Sequence, residues 1–216
     1  MNVSAVIPTR GDVDMTPILA SLPPEWELLV WDNSHGVDIY APGERAFGVN
    51  LPIPDLGVYG RYAAIKHARF DLVFTQDDDV IVSDPRAIVY ESDQGGSEFG
   101  RLACNMPPEF RHDFYTDHAL VGFGACFHRD LPAKAFNRFS EYLVGSSPDP
   151  WLDREWVASF HRTCDIVFTA LTPHVLVDVE RSNREMASDP NRMWKQSGHM
   201  SERMEMLNLV RKVREA

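Results

Sequence analysis

Leu72-Val73-Phe74-Thr75-Gln76-Asp77-Asp78-Asp79-Val80-Ile81-Val82 is the stretch whose reading decides the fold. An apolar run of strand character ends in three consecutive carboxylates, and a second apolar run follows directly. Adjacent like charges repel, and at the end of a buried strand each unpaired charge is costly, so the cluster asks for a cation. A hard divalent ion such as Mg²⁺ or Mn²⁺ takes oxygen ligands, relieves the repulsion and keeps open positions that hold phosphates. An isolated Asp triplet reads as a solvated acidic turn; the flanking strands favour the metal here.

The preceding residues repeat the arrangement. Val3-Ser4-Ala5-Val6-Ile7 reads as a short buried strand, stopped by Pro8 and opening into the polar turn Thr9-Arg10-Gly11-Asp12. A helix is expected from Met15 to Ser21. Glu27-Leu28-Leu29-Val30-Trp31 then gives a second strand, crowned by Asp32-Asn33-Ser34. The stretch from Gly36 to Pro54 is rich in Gly and Pro and reads as loop, with a short strand from Ala46 to Val49. Gly57 to Arg69 reads as a helix with Val58, Tyr62 and Ile65 on one face and Lys66, His67 and Arg69 in the last turn, where cations suit the dipole. Strands separated by such crossovers and ending in polar residues describe a mixed, mainly parallel α/β sheet flanked by helices, with its ligand edge at the strand C-termini. That geometry gathers Thr9, Asp32 and Asp77 to Asp79 into one crevice.

Beyond the triplet, Arg101 to Cys104 and Leu120 to Phe127 read as strands flanking an aromatic and polar segment. Helices are expected from Pro132 to Leu143 and Asp153 to His161, a strand from Val175 to Val179, and a last helix from Ser201 to Arg214. With 216 residues, 44% hydrophobic and 25% charged, the chain suits one soluble domain with a sizeable core. No apolar stretch has the length of a membrane span, and no basic leader precedes a long apolar segment, so the expectation is a cytoplasmic protein. The three cysteines lack a CxxC pair and read as buried small apolar residues. A net charge of −11 disfavours general binding to nucleic acid or anionic lipid.

Four elements, in order, resemble the nucleotide-sugar glycosyltransferases of the GT-A fold, in particular the compact family 2 type. Ala5-Val6-Ile7-Pro8-Thr9-Arg10 resembles the first strand and its loop, and Val30-Trp31-Asp32-Asn33-Ser34 the second strand with its nucleoside-contacting Asp. Gly60-Arg61-Tyr62-Ala63-Ala64 resembles the helix before the metal strand, and Asp77-Asp78-Asp79 stands at the DxD position. The resemblance implies that residues 1–82 form the donor half and 83–216 the acceptor half of one domain. It implies that Thr9 and Arg10 border the nucleobase and diphosphate, that Asp32 accepts from base or ribose, and that Arg61 or Lys66 reaches the nucleotide. Asp77, with Asp78 beside it, falls on the sugar-nucleotide side, and Asp79 falls to the cation, with Asp77 as its neighbour in the metal site. Each residue also has an ordinary reading: Thr9 as a strand end, Asp32 as the organiser of an Asn-Ser turn, Arg61 and Lys66 as solvated helix charges.

In the acceptor half, Gly122-Phe123-Gly124-Ala125 resembles the family's Gly-rich strand. Trp151-Leu152-Asp153-Arg154-Glu155-Trp156 resembles the acidic motif that opens a helix, with Asp153 the preferred base and Glu155 the alternative. Acids in a first helical turn are also favoured by the dipole with no catalytic duty. Some members complete the metal shell with a late His, for which His199 is the equivalent and His174 the competitor. Trp194, Lys195 and Gln196 lie where a lid would close over the diphosphate and exclude water. Phe110 to Tyr115 and Trp151 suit stacking on a sugar ring or packing in a core.

The activity implied is metal-dependent, hexosyltransferase-type transfer of a sugar from a nucleoside diphosphate to an acceptor hydroxyl. Attack assisted by Asp153 would invert the anomeric centre, while retaining enzymes share the fold and the metal motif. A nucleotidyltransferase would carry a Gly-rich loop with a Lys after the first strand, and Pro8-Thr9-Arg10-Gly11-Asp12 has a single Gly. A silent sugar- or nucleotide-binding domain would not need both the metal and the base carboxylates.

Overall fold

The computed structural model describes residues 1–34, 36–40, 55–94, 100–144, 150–183, 195 and 197–216. The first strand, β1 (Val3–Thr9), is buried along its whole length. It pairs in parallel with β2 (Glu27–Asp32) on one side and β4 (Leu72–Thr75) on the other, and the short helix α1 (Thr16–Ser21) makes the first crossover. β3 (Gly36–Tyr40) returns antiparallel to β2. The seven-stranded sheet has the order β3-β2-β1-β4-β7-β6-β8, with β6 (Leu102–Asn105), β7 (Ala125–His128) and β8 (His174–Val177). β7 is antiparallel to both β4 and β6, and β8 is parallel to β6. The sheet is mixed, and its parallel ladders hold more of the paired residues than its antiparallel ones. A separate two-stranded sheet pairs β5 (Val80–Val82) with β9 (Arg181–Asn183).

Successive strand residues alternate between two faces, and both faces are covered, which is why the strands read as nearly continuous apolar runs. Val3, Ala5 and Ile7 pack with Leu28, Val30 and Phe74 beneath α1 and α3 (Pro85–Asp93). Val6, Leu29, Trp31, Val73 and Phe127 face α2 (Gly60–Ala64), α4 (Leu131–Val144), α5 (Arg154–Leu171) and α6 (His199–Glu215). Tyr62, Phe127, Phe136 and Phe168 meet edge-on or tilted in that second layer. Full burial of one such side chain contributes roughly 1.5–3 kcal/mol.

Several boundaries differ from the sequence reading. Pro8 does not stop β1: it lies opposite Trp31 in the β1–β2 ladder. The β1–β4 ladder has already ended at Val6 opposite Thr75, so the missing N–H costs no bond on that side. Residues 36–40 are strand rather than loop, because their backbone pairs antiparallel with β2, from Gly36 opposite Asp32 to Tyr40 opposite Leu28. The strand expected from Ala46 to Val49 falls outside the described residues. The helix expected from Gly57 to Arg69 is divided into a 3₁₀ turn (Gly57–Tyr59), α2 and a second 3₁₀ turn (Ile65–His67). α3 is additional, and its signal is local: Asp84 accepts from Ala87 N at 3.2 Å, and Pro85 holds the first helical position. α5 runs ten residues past the expected end at His161. Gly122 to Gly124 form a turn leading into β7 rather than a strand, and Gly124 has φ +108. The three cysteines are free and buried, and burial pushes the Cys126 thiol up to about 12.

Candidate functional site

The C-terminal ends of β1, β2 and β4 carry the candidate donor residues to one edge. The register sets Thr9 opposite Asp32 and Val6 opposite Thr75, and neighbouring strands lie about 4.8 Å apart. Thr9 is buried; its Oγ1 accepts from Gly11 N at 3.1 Å and its carbonyl from Asn33 N at 2.9 Å, so the loops after β1 and β2 are tied together. Gly11 has φ +79, and an added Cβ would overlap Ser34 Oγ and crowd Asp32 Oδ1. Asp32 Oδ1 accepts from Ser34 N at 2.7 Å and Ser34 Oγ at 2.6 Å. Arg10 is ion-paired with Asp12 at 2.5 Å. Asn33 Oδ1 accepts from Trp31 Nε1 and Leu56 N, both at 3.0 Å, and its Nδ2 donates to Gly57 O. These bonds lock the second loop to the start of the 3₁₀ turn that leads into α2.

The triplet forms a tight turn: Val80 N donates to Asp77 O at 3.3 Å, and Gln76 Nε2 donates to Val80 O at 2.6 Å. Asp78 is buried, whereas Asp77 and Asp79 are partly exposed. Asp77 N donates to Gly122 O at 2.8 Å, and an added Cβ on Gly122 would overlap Asp77 Oδ2. The missing side chain is what makes room for that carboxylate. Asp77 Oδ1 accepts from Arg61 Nη2 at 2.5 Å. Arg61 is only 2% exposed, and its Nε lies 3.7 Å from Asp165 Oδ1, which also accepts from the Tyr62 hydroxyl at 2.5 Å. Burial opposes the guanidinium charge, but Asp165 and Asp77 more than offset it and hold Arg61 above its usual range. Burial likewise pushes Asp165 above the usual carboxylate range against the pull of Arg61 and Tyr62. Arg61 is therefore a buried ion-pair centre behind Asp77 rather than a solvated helix charge.

Other expected residues lie elsewhere. Lys66 is exposed in the second 3₁₀ turn, whose Ile65 and neighbouring Ala68 carbonyls accept from Arg129 at the far end of β7. Three residues on, Arg69 N donates to Glu27, the first residue of β2. That is the opposite edge of the sheet from Asp77, because α2 runs back along the sheet before entering β4. His174 also begins a strand at that edge, with Nδ1 at 3.1 Å from Thr169 O and Thr172 O, the carbonyls closing α5. Asp153 caps α5: its Oδ1 accepts from Glu155 N at 2.8 Å and Trp156 N at 3.3 Å. Glu155 is exposed in the first turn. Trp151 packs edge-on against Trp156 and Phe160. Tyr115 packs edge-on against Phe110 and Phe114, which in turn meet Phe123 and His118 edge-on. His199 opens α6 behind Gly198, and burial and Arg203 hold its imidazole below the usual range. Lys195 is partly buried, and Trp194 and Gln196 fall outside the described residues.

Among the described residues no group of three or more His, Cys, Asp or Glu side chains converges as a ready metal cage, His199 included. The donor set at the triplet fits a different kind of site. Mg²⁺ and Mn²⁺ are held in nucleotide sites by one or two carboxylates together with substrate phosphates, and Asp79 with Asp77 offers that number. The residue that the sequence reading missed is Asp165. Its signal is the apolar spacing Phe160, Cys164, Val167 and Leu171, which continues α5 beyond His161 and places Asp165 in the helix body.

No family model matches the chain, and no curated protein matches it. Among solved structures, S. aureus TarS 1–349 in complex with UDP-GlcNAc is 14% identical with a TM-score of 0.48, covering 88% of this chain and 61% of that one. S. aureus TarS is 15% identical with a TM-score of 0.49, covering 96% of this chain and 39% of that one. Mannosyltransferase PcManGT from Pyrobaculum calidifontis, in complex with GDP-Man and Mn²⁺, is 14% identical with a TM-score of 0.46, covering 94% of this chain and 63% of that one. The chain thus spans less than two thirds of each of these structures. Among the described residues no helix is long and apolar enough to cross a membrane.

Proposed function

We propose that the chain is a metal-dependent GT-A glycosyltransferase that moves a sugar from a nucleoside diphosphate sugar to an acceptor hydroxyl. One observation carries the reading: Thr9, Asp32 and Asp77 to Asp79 end adjacent parallel strands at one edge of the sheet. That edge is where α/β sheets bind nucleotides. In this reading Asp32 accepts from the base or ribose, Thr9 and Arg10 border the diphosphate, and Asp77 faces the sugar nucleotide. Asp79, with Asp77 beside it, would hold Mg²⁺ or Mn²⁺, which would supply positive charge against the leaving diphosphate.

Residues 1–82 then serve the donor and 83–216 the acceptor. Asp153 takes the acceptor proton as general base, with Glu155 as the neighbouring carboxylate, and in-line attack inverts the anomeric centre. Thermal-shift titration with UDP, GDP and CDP sugars, with and without Mn²⁺, tests the reading. A matching donor at a hundredfold excess over Kd stabilises the fold by about 2.7 kcal/mol, so one nucleotide class raises Tm by several degrees, and only with the metal. No shift with any of the three, or a shift indifferent to Mn²⁺, contradicts it.

A further inference from the structure

Charge balance accounts for only half of what surrounds Arg61. Asp77 alone neutralises one guanidinium, at 2.5 Å, yet Asp165 stands on the other edge at 3.7 Å. A second carboxylate in a nearly dry site is unfavourable in itself, since burial works against its charge. Its position gives it a different use. The guanidinium is a rigid planar fork, and its Nε makes no hydrogen bond, so Asp165 acts on that edge through charge alone and favours the orientation that points Nη2 at Asp77. Tyr62, buried at 7% exposure, donates to the same Asp165 oxygen that faces Arg61 and holds it in place. At the far end, Gly122 leaves space for the Asp77 carboxylate and takes its backbone N–H. Tyr62, Asp165 and Arg61 thus form a packed chain that ends at Asp77, whose side chain is 42% exposed at the crevice.

We infer that Asp165 is a positioning residue of the donor site: through Arg61 it holds the Asp77 carboxylate in one orientation at the strand edge. The inference rests on the donor-site reading above. Asp165→Asn keeps the shape and an acceptor for Tyr62 while removing the charge that orients Arg61. Tyr62→Phe keeps the charge and removes one hydrogen bond.

The test combines two readouts on the full chain: calorimetric Kd for UDP, GDP and CDP with Mn²⁺, and the side-chain NMR signals of Arg61, assigned by loss in Arg61→Lys. In the wild type the Arg61 Nε–H and its separate Nη signals report a guanidinium that does not rotate. In Asp165→Asn those signals merge or broaden, and nucleotide affinity falls by about 10- to 100-fold, the usual effect of losing an orienting partner of a ligand-binding group. Tyr62→Phe shifts both readouts in the same direction with a smaller loss, about three- to tenfold; it also serves if Asp165→Asn does not fold. The inference stands only if both readouts move together. Affinity lost with Arg61 signals unchanged, or signals changed at constant affinity, overturns it. Wild type that binds none of the three nucleotides overturns the functional reading and this role with it, whereas tight wild-type binding matched by both variants overturns this role alone.

Discussion

The ends of β1, β2 and β4 and the long helix α5 supply acids to this molecule by different geometries. At the strand ends, parallel register alone brings Thr9, Asp32 and the triplet together, since each strand stands one spacing from the next. Along α5, Asp153 and Asp165 are separated by twelve residues, roughly 18 Å of helix rise. One is exposed and bonded to its own helix N-terminus; the other, its side chain 17% exposed, faces Arg61 from the helix body. A carboxylate at a strand end is sited by topology, whereas the same group on a helix acquires its role from where the helix starts and stops.

The sharpest way to break this contrast is at Asp153. Asn caps a helix about as well as Asp, so Asp153→Asn leaves Tm unchanged while lowering transfer by about 10²- to 10⁴-fold if Asp153 is the base. Full transfer in Asp153→Asn, with loss in Glu155→Gln, moves the base to the neighbouring acid; activity in both leaves α5 with a capping role only. A smaller effect is expected where the turn before β7 meets the triplet. Gly122→Ala forces the Asp77 carboxylate aside, so Mn²⁺-dependent nucleotide affinity drops by about tenfold or more, and unchanged calorimetric affinity would show that Asp77 tolerates another position.

Across the sheet, Asp32→Ala weakens nucleoside diphosphate binding by about 1–3 kcal/mol. Lys66→Ala, at the opposite edge, changes it by less than about 0.5 kcal/mol. Equal effects of the two would dissolve the distinction between the edges.

The last expectation concerns stability rather than binding, at a titrating group that is buried in the core. His118 is 1% exposed, and burial, with Arg203, pulls its imidazole down to about 3. It stays neutral in the fold while the unfolded chain takes up a proton near 6.5. Its contribution to stability is therefore complete above 6.5 and is lost as pH falls toward 3, by up to about 1.4 kcal/mol per pH unit. His118→Leu removes this slope from Tm measured between pH 7 and pH 4; an unchanged slope would mean that His118 does not titrate on unfolding.

The same contrast explains what was legible beforehand. The edge that gathers Thr9, Asp32 and Asp77 to Asp79 can be read from apolar runs ending in polar residues, because burial on both faces and parallel register carry the information locally. Pro8 misled because its effect depends on which neighbour still pairs beyond Val6, a property of β4 rather than of β1. Lys66 misled because a helix that runs back along the sheet separates residues close in sequence to opposite edges. Asp165 was missed because α5 was ended one helical segment early. The pairing of Arg61 with Asp165 joins residues 104 positions apart, and no local pattern announces such a contact.

The central claim is that the Asp triplet makes this strand edge a metal-dependent nucleotide site, and calorimetric titration of wild type and Asp79→Asn with the nucleoside diphosphate that binds, with and without Mn²⁺, tests it most directly. The wild type should bind tightly only with Mn²⁺, and Asp79→Asn should keep its Tm while losing the Mn²⁺-dependent part of the affinity, because Asn preserves shape but removes a charged oxygen ligand. The same Mn²⁺-dependent affinity in both proteins would contradict it.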